Sequence, residues 1–232
     1  MRPPKPERNY VANPFQTVKQ LMSQGIEGYF AVKYAEFAKT SQQMQGEYGR
    51  FAERVVSLFD GGRLVEIGPG PVYVSIEIAK RLPDVEIVGL EISDTMIEIA
   101  KRNAEIQGLS EKITLRKGDA SNMPFEDSAF DFAVTSGSLH HWKKPKQVLS
   151  EIYRILRPGC VALISDLRKD APKEKVDEFA NKIDSKLMRW GLKHSFKEGY
   201  TARQIQEMMK YTRFGEIDIT EEDISMLIML RK

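Results

Sequence analysis

From Arg63 to Asp166 short strand-like runs alternate with helical patterns, and no other feature narrows the possible folds as far. The runs RLVEI, VEIVGLE, KITLRK, FDFAVTS and CVALISD are separated by VSIEIAKRL, DTMIEIAKRNAEIQ and KQVLSEIYRIL, whose apolar residues recur at helical spacing. Strands that are apolar on both faces need cover on both sides, so this alternation implies an α/β fold in three layers, a parallel sheet between helices. Ser93 sits where a helix N-cap belongs, with Gly108 past the end, and Thr201 with Gln204 has the spacing of a capping box. Two further strand-like runs, GEIDIT and ISMLIMLRK, are placed to close a sheet edge.

Outside the alternation the texture differs. Residues 1–13 read as a loose, Pro-bearing arm, and Pro14 to Phe59 as helical segments broken near Gly25 and Thr40. We divide the chain into an arm and helical cap over 1–60 and a main domain over 61–232, with a helical insertion at about 170–200. A chain of 232 residues suits one main domain with a full core. With 35 Lys plus Arg against 33 Asp plus Glu, the formal charge of +2 offers no electrostatic footprint for nucleic acid or anionic membrane. No apolar run approaches the ~20 residues of a membrane span, and MRPPKPERNY has no signal-peptide core. The single Cys160 rules out an intrachain disulfide and a Cys-ligated metal site, and fits a reducing, cytoplasmic setting.

The chemistry concentrates in LVEIGPGPVYVS, residues 64–75. A glycine turn between strand and helix lets a ligand approach bare backbone. Pro69 and Pro71 remove two of the N–H groups that a phosphate cradle would use, and Glu66 in front of the turn repels an anion. Tyr73 also stands where the third glycine of a dinucleotide fingerprint belongs. Glu91 ends the second strand about 20 residues after the turn, where an acid can accept both hydroxyls of a ribose. A nucleoside carrying positive charge and no phosphate satisfies all of these, and S-adenosylmethionine is such a molecule.

Four segments, LVEIGPGPVYVSIEIAKR, VGLEIS, KGDASNMPFEDSAFDFAVTSGSLHHW and PKQVLSEIYRILRPGCVALISD, make the chain resemble the class I S-adenosylmethionine-dependent methyltransferases. The group is that of the ubiquinone/menaquinone-biosynthesis (type 11) enzymes. The likeness spans Leu64 to Asp166, with a compatible ending from Thr201 to Lys232. It implies a Rossmann-like, mostly parallel seven-stranded sheet whose last strand is antiparallel, and S-adenosyl-L-homocysteine as product. It further implies that Glu66, Gly68 and Gly70 hold the aminocarboxypropyl group, that Glu91 takes the ribose and that Ile92 packs on adenine. Asp119 would take the adenine amino group, Ala120 would present a backbone N–H, and Ser136 would lie beside the sulfonium. Val72 stands where the family has another glycine, a departure expected to crowd the methionine side of the pocket.

His140 and His141 follow the fourth strand, facing the implied site, and His141 is the candidate catalytic base, an imidazole of pKa ~6.5 being suited to that work. The competing reading is that His141 and Trp142 pack the entry to the next helix. The aromatic residues of the cap (Tyr29, Tyr34, Tyr48) and of the insertion (Trp190, Phe196, Tyr200) point to a small, partly apolar acceptor beneath them. No metal site is expected. Two other functions stay open from sequence: a non-catalytic, regulatory S-adenosylmethionine-binding protein, and a nicotinamide-dependent oxidoreductase.

Overall fold

In the computed structural model, residues 26–232 are described; the arm over 1–13 and the segment from Pro14 to Gly25 lie outside them. The chain runs α1 (Gly28–Thr40), α2 (Gln42–Val56), β1 (Gly62–Ile67), α3 (Tyr73–Arg81), β2 (Val85–Glu91), α4 (Asp94–Ile106), β3 (Ile113–Lys117) and β4 (Phe130–Ser136). A 3₁₀ turn at Leu139–His141 leads to α5 (Pro145–Ile155), β5 (Leu156–Leu167), α6 (Lys173–Asn181), α7 (Lys186–Glu198), α8 (Ala202–Met209), β6 (Glu216–Glu221) and β7 (Ser225–Arg231). The strands form one seven-stranded sheet in the order β3-β2-β1-β4-β5-β7-β6.

The sheet is mixed, which corrects the expectation of a mostly parallel one. Pairing is parallel from β3 across to β5, but β7 runs against both β5 and β6. The physical reason lies in the connections. Parallel neighbours need a crossover, and helices supply one for each of β1 to β2, β2 to β3 and β4 to β5, whereas β6 and β7 are joined by a short hairpin that permits only antiparallel pairing.

The period-two pattern of β1 sorts its residues between two cores. Leu64 joins the layer under α2, α3 and α4, with Phe51, Val55, Ile78, Ile87 and Phe132. Val65 and Ile67 face the opposite layer under α5 and α8, with Leu149, Ile152 and Ile205. Phe59 stacks on Phe132 with ring centroids 5.1 Å apart. Residues up to 60 were assigned above to an arm and cap, but α2 is a full member of the sandwich: its Phe51, Ala52 and Val55 are buried. The apolar spacing of α2 shows that it buries a face without showing which surface receives it.

The capping signals appear as read. Ser93 Oγ accepts from Met96 N at 3.0 Å, Gly108 closes α4 with φ +68°, and Thr201 and Gln204 form the reciprocal box. Among the described residues, no helix is long and apolar enough to cross a membrane.

Candidate active site

The carboxyl ends of β1, β2, β4 and β5 open on a cavity of about 1050 Å³. A parallel sheet gathers its strand ends and the turns after them on one side, and here those turns carry acids and glycines. Glu66, Gly68, Gly70, Glu91, Ile92, Asp119, Ala120, Ser136 and His141 all line this one space.

Glu66, second from the end of β1, is 2% exposed, and its carboxylate accepts the hydroxyl of Ser75 from the first turn of α3. Among the described residues it has no ion-pair partner within salt-bridge distance. Burial pushes its pKa up to about 7; the Ser75 hydrogen bonds oppose the rise and the Glu91 charge adds to it. A buried acid that faces a cavity with no cation within ion-pair distance is matched to a ligand that brings one.

Glu91 ends β2, and both its oxygens are engaged. One accepts from Gly70 N at 3.1 Å; the other accepts from Ile92 N and Ser93 N, each at 2.9 Å. The residue therefore ties the glycine turn to the start of α4. Desolvation raises its pKa, against the pull of these backbone donors. Asp119, two residues past β3, accepts from Ser121 N at 2.8 Å through one oxygen. Ile92 is 43% exposed, an apolar surface left on the cavity wall.

Two glycines of the turn are needed for different reasons. A Cβ added at Gly68, which has φ +65°, would lie 2.3 Å from Ser138 Oγ, so the β4 turn packs against bare backbone there. At Gly70 (φ +51°) a Cβ would meet nothing within 4 Å, and the left-handed backbone alone requires glycine.

Val72 corrects an expectation. It does not line the cavity and does not crowd a ligand; it is fully buried in the α2–α3 layer. As the residue leading into α3 it adopts φ 58°, ψ 25°, a left-handed conformation that is strained for a β-branched side chain. A glycine at this place would relieve the backbone without clearing any space in the pocket.

The roof comes from helices. Phe30, Tyr34 and Phe37 of α1, Met44 and Tyr48 of α2, Phe179 of α6, and Met188 and Trp190 of α7 complete the wall. α1 is fastened to the floor by contacts invisible in the sequence. Glu27 accepts from Asp94 N, Thr95 N and the Thr95 hydroxyl, the last at 2.6 Å, and Ser93 donates its hydroxyl to Ile26 O at 2.8 Å. These bonds satisfy free N–H groups at the start of α4.

The histidines divide. His141 sits deep in the molecule yet keeps more than a third of its surface accessible, as a residue on a cavity wall does. Desolvation first, and the adjoining His140 second, lower its pKa, so the ring is neutral at neutral pH. The His140 side chain is only 4% exposed and places Nδ1 2.6 Å from Asp166 Oδ1 at the end of β5. Sequence reasoning singled out His141 and passed over Asp166, although CVALISD ends in an acid as the first two runs end in or near one. Tyr34 and Tyr48, hydrogen-bonded to each other, were read only as cap aromatics; burial raises the pKa of both.

Residues 65–164 match the family model described as "Methyltransferase domain", type 11. A demethylmenaquinone methyltransferase of Lactobacillus johnsonii is 27% identical over 160 residues, 64% of this chain and 66% of the relative. A chloroplastic 2-methyl-6-phytyl-1,4-hydroquinone methyltransferase of Oryza sativa subsp. japonica is 33% identical over 100 residues, 43% of this chain and 28% of the relative. The chain thus spans less than two thirds of the length of these curated relatives. Among solved structures, a proposed S-adenosyl-L-methionine-dependent methyltransferase from Methanococcus maripaludis superposes with a TM-score of 0.69 at 26% identity, covering 87% of this chain and 91% of that one. Over residues 65–164 the chain is similar to the type 11 methyltransferase domains, and its fold is that of a solved S-adenosylmethionine-dependent methyltransferase.

Proposed function

We propose that the chain is a methyltransferase that uses S-adenosylmethionine to methylate a small, largely apolar acceptor. The observation that carries this reading is the set of three acids, Glu66, Glu91 and Asp119, at or just beyond the ends of three neighbouring strands around one cavity. The bound donor supplies an electrophilic methyl on a sulfonium. The chain's residues bind and orient. Glu66 meets the ammonium, which holds its carboxylate ionised despite burial; Gly68 and Gly70 bring backbone close; Glu91 takes the ribose hydroxyls. Asp119 and the Ala120 N–H read the adenine edge, Ile92 covers its face, and Ser136 lies beside the reacting centre. These roles rest on the family resemblance and on the shared cavity.

A cavity of about 1050 Å³ exceeds what one nucleoside amino acid fills, and the remainder lies against aromatic and Met side chains of α1, α2, α6 and α7. In this reading the helices α1, α6 and α7 serve as a cap over the acceptor, with α2 serving the core as well. The hydroquinone and demethylmenaquinone in the relatives' names agree with an acceptor of this kind. Holding nucleophile and methyl in line accounts for roughly 7–11 kcal/mol of the barrier. A cytoplasmic site of action rests on the lone cysteine and lack of apolar spans. Calorimetric titration with S-adenosyl-L-homocysteine and with NAD, followed by a metabolite-extract screen with methyl-labelled donor, tests the reading. Binding of homocysteine nucleoside plus label transfer supports it. Binding without transfer to any metabolite leaves a regulatory binding protein, and preference for NAD overturns the cofactor.

A further inference from the structure

Glu27 stands at the N-cap position of α1, where an acid ordinarily accepts from the free N–H groups of its own first turn. Its side chain makes no such bond. It reaches instead to the start of α4, 67 and 68 positions along the chain. There it accepts from Asp94 N at 2.9 Å, Thr95 N at 3.2 Å and the Thr95 hydroxyl at 2.6 Å. The Thr95 hydroxyl oxygen accepts in turn from Gly28 N at 3.0 Å, and Ser93 donates to Ile26 O at 2.8 Å. Residues 26–28 are thus laced to one helix start by five hydrogen bonds, and the left-handed Gly28 (φ +58°) turns the chain from them into α1.

The first amides of α4 are shared between two acids. Glu91 takes Ile92 N and Ser93 N, and Glu27 takes the next two. Glu27 is near enough for its charge to help raise the Glu91 pKa. Ile26 and Glu27 line the main cavity together with Ile92 and Asp119, the residues proposed above for the face and edge of adenine. A bond kept within α1 would serve one helix. The bonds to α4 hold a piece of chain at the nucleoside end of the cavity.

Resting on the methyltransferase reading, we infer that residues 26–28 form a strap over the nucleoside end of the donor site, and that Glu27 is the positioning residue that holds it shut. The nucleoside passes this strap on entry and on departure, so the bonds to Asp94 and Thr95 part and re-form in each turnover. Glu27 touches no reacting atom; it acts through the first turn of α4, which Glu91 also organises. Such a residue sets the rate of donor exchange in both directions and alters the equilibrium affinity less, because an open strap admits the ligand as readily as it releases it. A residue that only capped α4 would change the stability of the fold and leave exchange alone.

Stopped-flow mixing with S-adenosyl-L-homocysteine, followed by the fluorescence of Trp142 and Trp190 on the cavity wall, measures entry and release. In the wild type the association rate should level off at high ligand, at the rate of strap opening. Glu27→Ala should lift that plateau and speed release by roughly 10–100-fold, in keeping with the loss of bonds to a charged acceptor, while the dissociation constant moves less than about 10-fold. Glu27→Gln keeps an acceptor oxygen, and Thr95→Val deletes the hydroxyl while leaving Glu27 in place; both should release at intermediate rates. Should Glu27→Ala fold poorly, these two variants carry the test. The nucleoside 5′-deoxy-5′-methylthioadenosine, which lacks the amino acid, should show the same acceleration. Release within about two-fold of wild type in every folded variant, with only the melting temperature lowered, overturns the strap and leaves a helix cap. Acceleration for S-adenosyl-L-homocysteine but not for methylthioadenosine overturns its placement at the nucleoside end. A wild type that binds neither ligand strikes the methyltransferase reading itself, a result distinct from both.

Discussion

The floor and the roof of the cavity are built on different terms. The floor is the end of a sheet. Its acids are 2–6% exposed at Glu66 and Glu91, and its turns are tied across strands by bonds such as Gly68 N to Leu90 O at 2.9 Å. The roof over the insertion is thinly packed: α6 buries Ala180, the link to α7 buries Ile183, and α7 buries Phe196. A ligand shared by many enzymes is met by the rigid part. The ligand that distinguishes one enzyme from another is met by the part that can change without unmaking the sheet.

The largest effect that would sharpen this contrast comes from the floor's most strained charge. Glu66 has its pKa raised to about 7 by burial, so the folded protein holds its proton where the unfolded chain has already lost it. Stability contributed by this group is therefore fully present below about pH 4.5 and is lost as pH rises to about 7, a change of about 3 kcal/mol. Relative to wild type, Glu66→Gln should gain stability across that window in denaturant melts, and saturating S-adenosyl-L-homocysteine should shrink the wild-type loss. Identical pH dependence in the two proteins would show that the floor stores no such charge.

Next in size is Glu91→Ala, which should weaken S-adenosyl-L-homocysteine binding by roughly 1.5–3 kcal/mol, or 10–150-fold. Part of that loss comes from freeing Gly70, Ile92 and Ser93 N–H, so the melting temperature should fall as well. Trp190→Ala, on the roof, should change the same affinity less than two-fold. Equal losses from both variants in calorimetry would erase the distinction between floor and roof.

A smaller effect concerns Val72, whose backbone is left-handed. Removing its buried side chain costs about 2 kcal/mol, and glycine returns roughly 1–2 kcal/mol of backbone strain that alanine keeps. Val72→Gly should therefore melt higher than Val72→Ala, by about 1 kcal/mol, the reverse of the usual helix order. Alanine proving the more stable would mean that the neighbouring core, and not the backbone, sets this position.

Much of the floor was legible in the sequence because its logic is local. A strand must end, a glycine must turn and an acid must stand at a fixed offset, as Glu66, Gly68, Gly70 and Glu91 do. The roof and the histidine pair were less legible because they depend on contacts distant along the chain. Glu27 meets Thr95 across 68 positions and His140 meets Asp166 across 26, and no spacing rule announces either. Which of His140 and His141 meets Asp166 turned on which ring faces β5, a matter of one residue in a 3₁₀ turn. Val72 was misjudged for a related reason: a missing glycine in a motif reads as lost room, whereas the lost quantity was a backbone angle.

The reversed direction of β7 has a practical consequence. Because it runs against β5, its end at Arg231 pairs with Val161, midway along that strand and away from its carboxyl end. The Lys232 ammonium donates to Leu156 O at 2.6 Å, and the Lys232 amide donates to Cys160 O at 3.0 Å. Polypeptide joined after Lys232 therefore departs from the far end of the sheet, a full strand's length from the ligand mouth. A fluorescent reporter, an immobilisation handle or a tether to a second enzyme attached there should leave the entrance unobstructed.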